Sequence, residues 1–231
     1  MAVSGEYHTF EILPKAQVEQ LRAEEPESYG AYMAFLAVEA LRQRDEIRDG
    51  RKEAKLHPLT REFGVLHKIA MDEELEALEA RLQTFTMRAT DPNAVVLIFS
   101  DADHFKTEIN GRYGQRVGDE AIKELARAHV EAVRGHDDLV SCDGGDEFLI
   151  ALLLREDGIS PEEVAELVIE RDHQNCQAIG AERKAKGGLP YDLTNTYGVA
   201  VWRPGDGISI LDAKEEANLR MIANKPDSGR R

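Results

Sequence analysis

Two short acidic stretches carry the side chains best suited to chemistry. The first is Asp101-Ala102-Asp103, and the second is the pair Asp146 and Glu147. Each adjoins a segment rich in strand-forming residues, so their carboxylates could meet near one edge of a sheet. Carboxylate oxygens with few histidines nearby suit Mg²⁺, which binds one or two carboxylates together with phosphate oxygens. An acidic metal site of this kind predicts in-line phosphoryl or nucleotidyl transfer.

Groups that could bind the phosphates of a nucleotide are scarce but present. Lys106 follows the first acidic stretch, whereas Lys225 and Arg230 lie at or beyond the end of the last predicted helix. Glycines near the acidic residues could let backbone N–H groups approach phosphates: Gly114, Gly118, Gly144 and Gly145. The sequence has no P-loop, no dinucleotide-binding glycine fingerprint, no zinc-type spacing and no serine-nucleophile elbow.

The overall charge limits the classes of partner. The 231 residues include 29 Lys and Arg against 44 Asp and Glu, which gives a net charge of −15. This charge argues against binding DNA or RNA through a broad basic face and against adsorption to an anionic membrane. We expect no leader or membrane-spanning segment. Cys142 and Cys176 form no disulfide framework, so we expect inert thiols in a cytoplasmic protein.

The pattern of apolar residues predicts the elements that position the acidic stretches. Met71, Leu75, Leu78 and Leu82 recur at helical spacing, and residues 95–99 form a continuous strand-like run. The pattern then predicts a helix over about residues 119–133 and a hairpin with strands at 139–142 and 147–154. After the hairpin it predicts a helix beginning at Ser160, a strand over 194–202 and a helix over 211–224. This order predicts an α/β or α+β fold with a sheet between helices.

Three features within these elements carry more specific expectations. The glycine pair before Asp146 is expected to supply the positive φ angles of the hairpin turn. His129, on the apolar face of its helix, is expected to be a satisfied core histidine. The last helix is expected to place Leu211, Leu219 and Ile222 among its apolar positions.

The first 55 residues differ in pattern from the rest and are predicted to form a helical extension. An apolar stripe recurs at helical spacing and comprises Met33, Leu36, Ala37, Ala40 and Leu41. The stripe could pack on its own subunit, or it could serve dimerisation or signal transmission. No heptad run of three repeats supports a long coiled coil. We therefore predict an extension over residues 1–55 and a catalytic domain over residues 56–231.

A family resemblance rests on several of these motifs together. Gly144-Gly145-Asp146-Glu147-Phe148 is the signature that names the GGDEF family, the diguanylate cyclases. The upstream block resembles the pattern D-x-D-x-F-K, N-x-x-x-G and G-D, and comprises residues 101–106, 110–114 and 117–119. Three further segments are similar to the family. Its opening segment is resembled by residues 57–60, a late strand by residues 196–200 and its closing helix by residues 217–225. The resemblance covers about residues 57–231.

The resemblance implies a palm-like nucleotidyl cyclase fold with a mainly antiparallel sheet flanked by helices. It implies that two GTP molecules become cyclic di-GMP and two pyrophosphates, with Mg²⁺ or Mn²⁺ and with two subunits facing each other as a homodimer. Asp101 and Glu147 would be metal carboxylates and Ala102 would offer its carbonyl oxygen. Asp146 would lie beside the reacting 3′-hydroxyl. The implied substrate-binding residues are Asn110 and Asp119 for guanine, and Phe105, Lys106, Gly144, Gly145, Lys225 and Arg230 for the phosphates.

The sequence also departs from the family pattern. Cys142, followed by Asp143, stands where an arginine is usual, and one residue is inserted between Phe105 and Asn110 and another between Lys225 and Arg230. Other usual residues are replaced by Arg61, Gly64, Asn218 and Ile222. Two alternatives to the cyclase therefore stay open. One is a degenerate domain that binds GTP or cyclic di-GMP without turnover, and the other is a cyclase with a mixed guanine–adenine product.

A further motif concerns product inhibition. Family members often carry Arg-x-x-Asp five residues before the signature. Arg134-Gly135-His136-Asp137 has the internal spacing but lies one residue too far away. The segment could form an inhibitory site or an ordinary solvated loop between a helix and a strand.

Overall fold

The computed structural model describes residues 53–83, 91–133, 137–155 and 158–225. From Lys55 onward these residues belong to one compact unit. The predicted apolar stripe of residues 33–41 and the motif residue Arg134 lie outside the described residues, and so does Arg230. The division of the chain at residue 55 therefore stays a prediction. In the described part, no helix is long and apolar enough to cross a membrane.

A five-stranded sheet occupies the centre of this unit. Its strands are β1 (Leu66–His67), β2 (Ala94–Ala102), β3 (Leu139–Gly144), β4 (Glu147–Leu154) and β5 (Asn195–Trp202). Their order across the sheet is β1-β3-β4-β2-β5, in which only the β1–β3 pair is parallel. The predicted mainly antiparallel sheet is confirmed.

Four helices of eight residues or more cover the two faces of the sheet in the described part. They are α1 (Lys68–Leu82), α2 (Gln115–Ala132), α3 (Pro161–Ala185) and α4 (Ile210–Asn224). Every residue of β2 is buried, with Val96 and Ile98 in the core beneath α2 and α3. Val95 and Leu97 lie in the other core, beneath α1 and α4. Alternate side chains of one central strand thus enter two cores, which explains its continuous apolar run.

The helix starts and faces follow from local sequence. Met71, Leu75, Leu78 and Leu82 of α1 are buried, as predicted. Ser160 begins α3 with a capping box in which its hydroxyl accepts from the backbone N–H of Glu163 and the Glu163 carboxylate accepts from the backbone N–H of Ser160. Ser209 caps α4 in the same way through Asp212. Each box satisfies N–H groups that a helix start otherwise leaves unpaired.

Some predicted positions were wrong. Strand β2 continues through Asp101 and Ala102, which we had placed after the strand, because both residues pair with β5 and Asp101 also pairs with β4. Helix α2 begins four residues earlier than predicted, at Gln115. Leu219 and Ile222 of α4 are 57% and 47% exposed. The buried face of α4 instead comprises Ile210, Ala213, Lys214, Ala217 and Met221.

Candidate active site

Strand pairing brings the two acidic stretches together. Asp101 near the end of β2 and Glu147 at the start of β4 are partners in the antiparallel register. The backbone N–H of Ala102 donates to the carbonyl oxygen of Asp146 at 3.3 Å. Asp101 is only 6% exposed although it is charged. Strand pairing therefore places Asp101 beside Glu147, with Asp146 in the adjoining turn.

The cluster carries more negative than positive charge. Burial, followed by repulsion from the Asp101 carboxylate, raises the pKa of Asp146 and that of Glu147. Lys225 Nζ lies 2.5 Å from Asp101 Oδ1, and its charge opposes the rise of both pKa values. Asp101 Oδ1 is buried and receives no hydrogen bond from the described residues, so the contact with Lys225 is one of charge. A bound cation would relieve the repulsion among these carboxylates.

The hairpin turn that carries Asp146 and Glu147 contains an irregularity. Gly145 has φ +58°, which favours glycine, whereas Gly144 does not adopt a positive φ. The prediction that both glycines supply this conformation was wrong for Gly144. The register of β3 and β4 shifts between Cys142 and Gly144, which makes Asp143 the residue of a β-bulge. Bulges of this kind bend a strand and change the direction of the side chains that follow.

The segment after β2 forms a second part of the site. His104 adopts a left-handed conformation, with φ 55°, and the chain continues into a π-helical turn, Phe105–Asn110. Phe105 and Ile109 of that turn are buried, which anchors it against the core. Lys106 lies between them on the exposed side. The turn places the backbone of Phe105 and Lys106 directly beyond the acidic end of β2.

Asn110 and Asp119 lie close together beyond this turn. The Asn110 carboxamide lies against Gly118, where a Cβ atom would fall 1.8 Å from Asn110 Oδ1. Asn110 Oδ1 is buried and has no hydrogen-bond partner among the described residues. Asp119 follows Gly118 and accepts from Gln115 Nε2 at 3.1 Å. The two residues predicted to recognise a base therefore lie close together in the fold.

The donor set of the acidic cluster fits a hard divalent cation. The described residues contain no group of three or more Asp, Glu, His or Cys side chains arranged as a complete metal centre. Mg²⁺ does not need such a group, because it commonly takes one or two carboxylates and completes its shell with water and phosphate. The buried Asp101 oxygen, the facing Glu147 and the adjoining carbonyl of Ala102 supply suitable oxygens.

A buried polar network lies directly behind the acidic end of β2. Ser100 and His129 are completely buried, and Ser100 Oγ lies 3.2 Å from His129 Nε2. His129 Nδ1 lies 2.9 Å from Asp172 Oδ1, and Tyr197 donates to Asp172 Oδ2 at 2.5 Å. The prediction of a satisfied core histidine is confirmed. Ser100, His129 and Asp172 have no access to solvent, so the Ser100 hydroxyl does not serve as a nucleophile. The three side chains instead connect β2, α2 and α3.

Sequence reasoning missed two charged residues around the cluster, Lys68 and Lys214, and noted Asp143 only as a departure from the family pattern. Lys68, the first residue of α1, acts electrostatically on Glu147. Lys214 and Asp143 form a buried ion pair at 2.6 Å beside the hairpin. No motif contains these residues. The only signal for Lys214 is its place on the apolar side of α4, one residue after Ala213.

The remaining predicted residues have simpler outcomes. Cys142 and Cys176 are buried free thiols, as expected, and burial raises the pKa of Cys142 to about 11. Asp137 lines a cavity of about 680 Å³ together with Arg81 and Arg155. Because Arg134 is not described, the inhibitory site stays a prediction.

Comparison with known proteins settles the family. The model of the diguanylate cyclase GGDEF domain matches residues 75–231. The chain belongs to the GGDEF family. The bifunctional diguanylate cyclase/cyclic di-GMP phosphodiesterase MucR of Pseudomonas aeruginosa is 28% identical over 206 residues, which are 84% of this chain and 28% of MucR. The chain thus spans less than a third of that relative.

Solved structures confirm the GGDEF fold. The coiled coil and GGDEF domain of DgcB from Caulobacter crescentus, in complex with c-di-GMP, matches with a TM-score of 0.67 at 23% identity, over 88% of this chain and 96% of that one. Diguanylate cyclase SiaD of Pseudomonas aeruginosa, in complex with its activator SiaC, matches with a TM-score of 0.63 at 24% identity, over 93% and 77% of the two chains.

Proposed function

We propose that this GGDEF protein is an active diguanylate cyclase, which condenses two GTP molecules into cyclic di-GMP and two pyrophosphates. The observation that carries the proposal is the pairing of Asp101 with Glu147 across β2 and β4, with Asp146 beside them. The family signature alone would fit a domain that has lost its activity. Burial and repulsion from Asp101 raise the pKa values of Asp146 and Glu147, so keeping these two carboxylates charged costs stability, and a bound cation would offset that cost.

The metal site would comprise Asp101, Glu147 and the carbonyl oxygen of Ala102. Mg²⁺ or Mn²⁺, when bound, would neutralise the charge that develops on the phosphates during transfer. Lys225 Nζ lies 2.5 Å from Asp101 Oδ1, so this oxygen already attracts a positive charge. A metal ion bound to the same oxygen would displace the ammonium group of Lys225, which would then be free to bind a phosphate. The carboxylates of Asp101 and Glu147 would therefore hold the metal ion at the end of β2.

Asp146 would act on the reacting hydroxyl. It follows Gly145 in the turn, and its raised pKa brings its proton affinity closer to that of a general base at neutral pH. In each half of the reaction, the 3′-oxygen of one GTP would bond to the α-phosphorus of the other. The bond from that phosphorus to pyrophosphate would break, and the hydroxyl proton would pass to Asp146 or to water.

Guanine selection would rest on Asn110 and Asp119. A carboxylate can accept two parallel hydrogen bonds from guanine N1–H and its exocyclic amine, which adenine does not offer. The buried, unpaired Asn110 Oδ1 supports the assignment, since a donor from the base would satisfy it. The phosphates would be held by Lys106, Lys225 and Arg230, and by backbone N–H groups of Phe105, Lys106, Gly144 and Gly145.

The partners follow from the reaction. Because one palm site holds one nucleotide, two subunits must face each other, and a two-fold homodimer provides identical sites. GTP is the proposed substrate, in the cytoplasm, and neither DNA, RNA nor a membrane is a proposed partner.

One assay tests the proposal against its alternatives. The full chain is incubated with GTP and Mg²⁺, and the products are identified by mass spectrometry. Cyclic di-GMP from the wild type, but not from Glu147→Gln, is the expected result. GTP binding without product would favour the degenerate domain. The specific reason to consider this alternative is that buried Cys142 replaces the arginine that is usual in the family. A guanine–adenine product from mixed nucleotides would favour the third alternative.

A further inference from the structure

Helix α4 contains a buried cation that no motif of the family explains. Lys214 is 8% exposed and lies on the same face as Ala213, Ala217 and Met221, which pack in the core. Its Nζ donates to Asp72 Oδ1 of α1 at 2.7 Å and lies 2.6 Å from Asp143 Oδ2. One ammonium group therefore joins α4, α1 and the hairpin of β3 and β4.

The hairpin partner of Lys214 is the bulge residue. The side chain of Asp143 is only 1% exposed, and Ser141 Oγ donates to its Oδ1 at 2.7 Å. Asp143 Oδ2 is buried and has no hydrogen-bond partner, so Lys214 is its charge partner among the described residues. Asp143 immediately precedes Gly144 and Gly145, and the chain then reaches Asp146 and Glu147.

Through this contact, the position of α4 restrains the backbone of the turn that carries Asp146 and Glu147. A bulge sets the direction of the strand end that follows it. A flexible glycine pair lies between Asp143 and the acidic residues, so the backbone of the turn depends on what holds its near end. Ser141 holds one oxygen of Asp143 from within the same strand, whereas Lys214 holds the other from outside the hairpin.

The same contact has an electrostatic consequence. Lys214 places a positive charge against Asp143, which lowers the negative potential that reaches the carboxylate cluster. Loss of one partner of a buried pair usually destabilises a protein strongly, because the other charge is left uncompensated.

We propose that Lys214 is a positioning residue for the catalytic turn. By holding the bulge residue Asp143 and at the same time Asp72, it fixes Asp146 and Glu147 relative to α1 and α4. The inference rests on the proposed cyclase function only for its effect on turnover. The mechanical part, that Lys214 restrains the turn, stands independently of the reaction.

The test uses two variants of the full chain and a matched control. Lys214→Met removes the charge and keeps the unbranched apolar part of the side chain, one atom shorter than lysine. Lys214→Met with Asp143→Asn removes both charges. Lys184→Met is the control, because Lys184 pairs with Asp192 at 2.8 Å where both side chains are 47% or more exposed. Hydrogen–deuterium exchange of residues 144–147, thermal unfolding, GTP binding, and kcat and KM for product formation are measured.

The expected pattern separates positioning from simple stabilisation. Lys214→Met should lower the unfolding temperature, and the double variant should recover most of that loss because no buried charge is left unpaired. In both variants, exchange of residues 144–147 should rise about tenfold, and kcat should fall about tenfold. KM should rise less than kcat falls, because Gly144 and Gly145 are only part of the proposed phosphate contacts, and Asn110 and Asp119, which would hold the base, lie on a different segment. The control should match the wild type in each measurement.

Two results would overturn the proposal. In the first, the double variant has wild-type exchange and kcat, so that Lys214 only neutralises a buried charge. In the second, Lys214→Met behaves like Lys184→Met throughout. If Lys214→Met fails to fold, the double variant alone decides. If the wild type makes no cyclic di-GMP, the cyclase proposal fails, and the exchange of residues 144–147 still decides whether Lys214 restrains the turn.

Discussion

The carboxamide of Asn110 lies directly over Gly118, and a Cβ atom at residue 118 would fall 1.8 Å from Asn110 Oδ1. No real Cβ contact is that short, so glycine is required for this approach. Gly118 lies in the first turn of α2 without a positive φ, and its backbone conformation therefore does not demand glycine. The need for glycine at residue 118 arises from the side chain above it, which is one of the two proposed to select guanine.

Gly118→Ala should therefore weaken GTP recognition without weakening the fold. Alanine in a helix is favoured over glycine by about 0.5–1 kcal/mol, so any loss reflects displacement of Asn110. We expect KM for GTP to rise about tenfold or more, as it should in Asn110→Ala. The measurement is GTP and ATP titration of the wild type and both single variants.

The double variant with Asn110→Ala and Gly118→Ala provides the control. Once the carboxamide is gone, the added methyl group has nothing to displace, so the double variant should match Asn110→Ala in KM and equal or exceed it in thermal stability. Additive losses in KM would contradict the proposed contact. Equal use of ATP by the wild type would contradict the assignment of Asn110 and Asp119 to guanine.

Glu147→Gln should abolish turnover and raise the stability of the metal-free protein. Burial and the Asp101 carboxylate raise the pKa of Glu147, so its charged form is less stable in the folded protein than in the unfolded chain, and the neutral amide removes that penalty. Loss of a metal ligand should lower activity by at least about 100-fold, because even residues that only support metal ligands cost up to that much.

Unfolding temperature with and without Mg²⁺ checks this prediction. Mg²⁺ should stabilise the wild type and leave Glu147→Gln almost unchanged. Glu131→Gln is a suitable control, since Glu131 is a half-exposed carboxylate paired with Arg127 on the surface of α2. Near wild-type activity in Glu147→Gln would refute the metal assignment.

The sequence was sufficient for the parts of the fold that depend on local pattern. Met71 and Leu75 predicted the buried face of α1, and Ser160 predicted the start of α3, because spacing and capping are properties of short segments. The apolar run over residues 95–99 gives no local signal that the strand continues through Asp101. Its place in the strand depends on pairing with Glu147, which lies 46 residues later and could not be derived from local pattern.

The candidate site shows the same division. Motifs identified Asp101, Asn110, Asp119 and Glu147, whose positions are tied to short sequence blocks. The Lys214–Asp143 pair was missed because neither residue belongs to a motif. In addition, the sequence of a helix does not distinguish a buried lysine from an exposed one. Leu219 and Ile222 are apolar residues that are exposed, so the apolar type of a residue alone did not identify the buried face of α4.

Asp172→Asn should destabilise the protein and reduce its sensitivity to acid. Burial raises the pKa of Asp172, but the charge of His129 and the hydrogen bonds from His129, Tyr197 and Asn195 outweigh it, so the pKa lies below its ordinary value. A lowered pKa stabilises the fold above the unfolded value of about 3.9, and this stabilisation is lost as the pH falls through the folded value. Leaving the buried hydrogen-bond partners of Asp172 unsatisfied should cost about 1–3 kcal/mol at neutral pH.

Chemical denaturation at several pH values between neutrality and about pH 3 measures this effect. The wild type should lose stability over the acidic part of this range, and the variant should lose less. Asp192→Asn is the control, because Asp192 also has a lowered pKa but is 77% exposed in its side-chain pair with Lys184. A variant as stable as the wild type at pH 7 would show that the network beneath Asp101 does not depend on the Asp172 charge.

The last prediction concerns the segment before the described unit. Joining two nucleotides needs two facing sites, and a net charge of −15 opposes the encounter of two copies even though salt screens exposed charges beyond about 8–10 Å. We propose that the apolar stripe containing Met33, Leu36 and Leu41 contributes to dimerisation. Leu36→Asp in the full chain should raise the dissociation constant of the dimer at least about tenfold, which corresponds to about 1.4 kcal/mol.

Product formation measured against protein concentration distinguishes this role from packing within one subunit. If the stripe holds the dimer, Leu36→Asp should show a near second-order dependence and lose activity mainly at low concentration, while sedimentation shows a folded monomer. Arg42→Gln makes the same change in net charge at a predicted helical position off the stripe and should behave as the wild type. Unchanged activity per subunit at every concentration would rule out the dimer role, and unfolding at every concentration would show that the stripe covers the core of its own subunit.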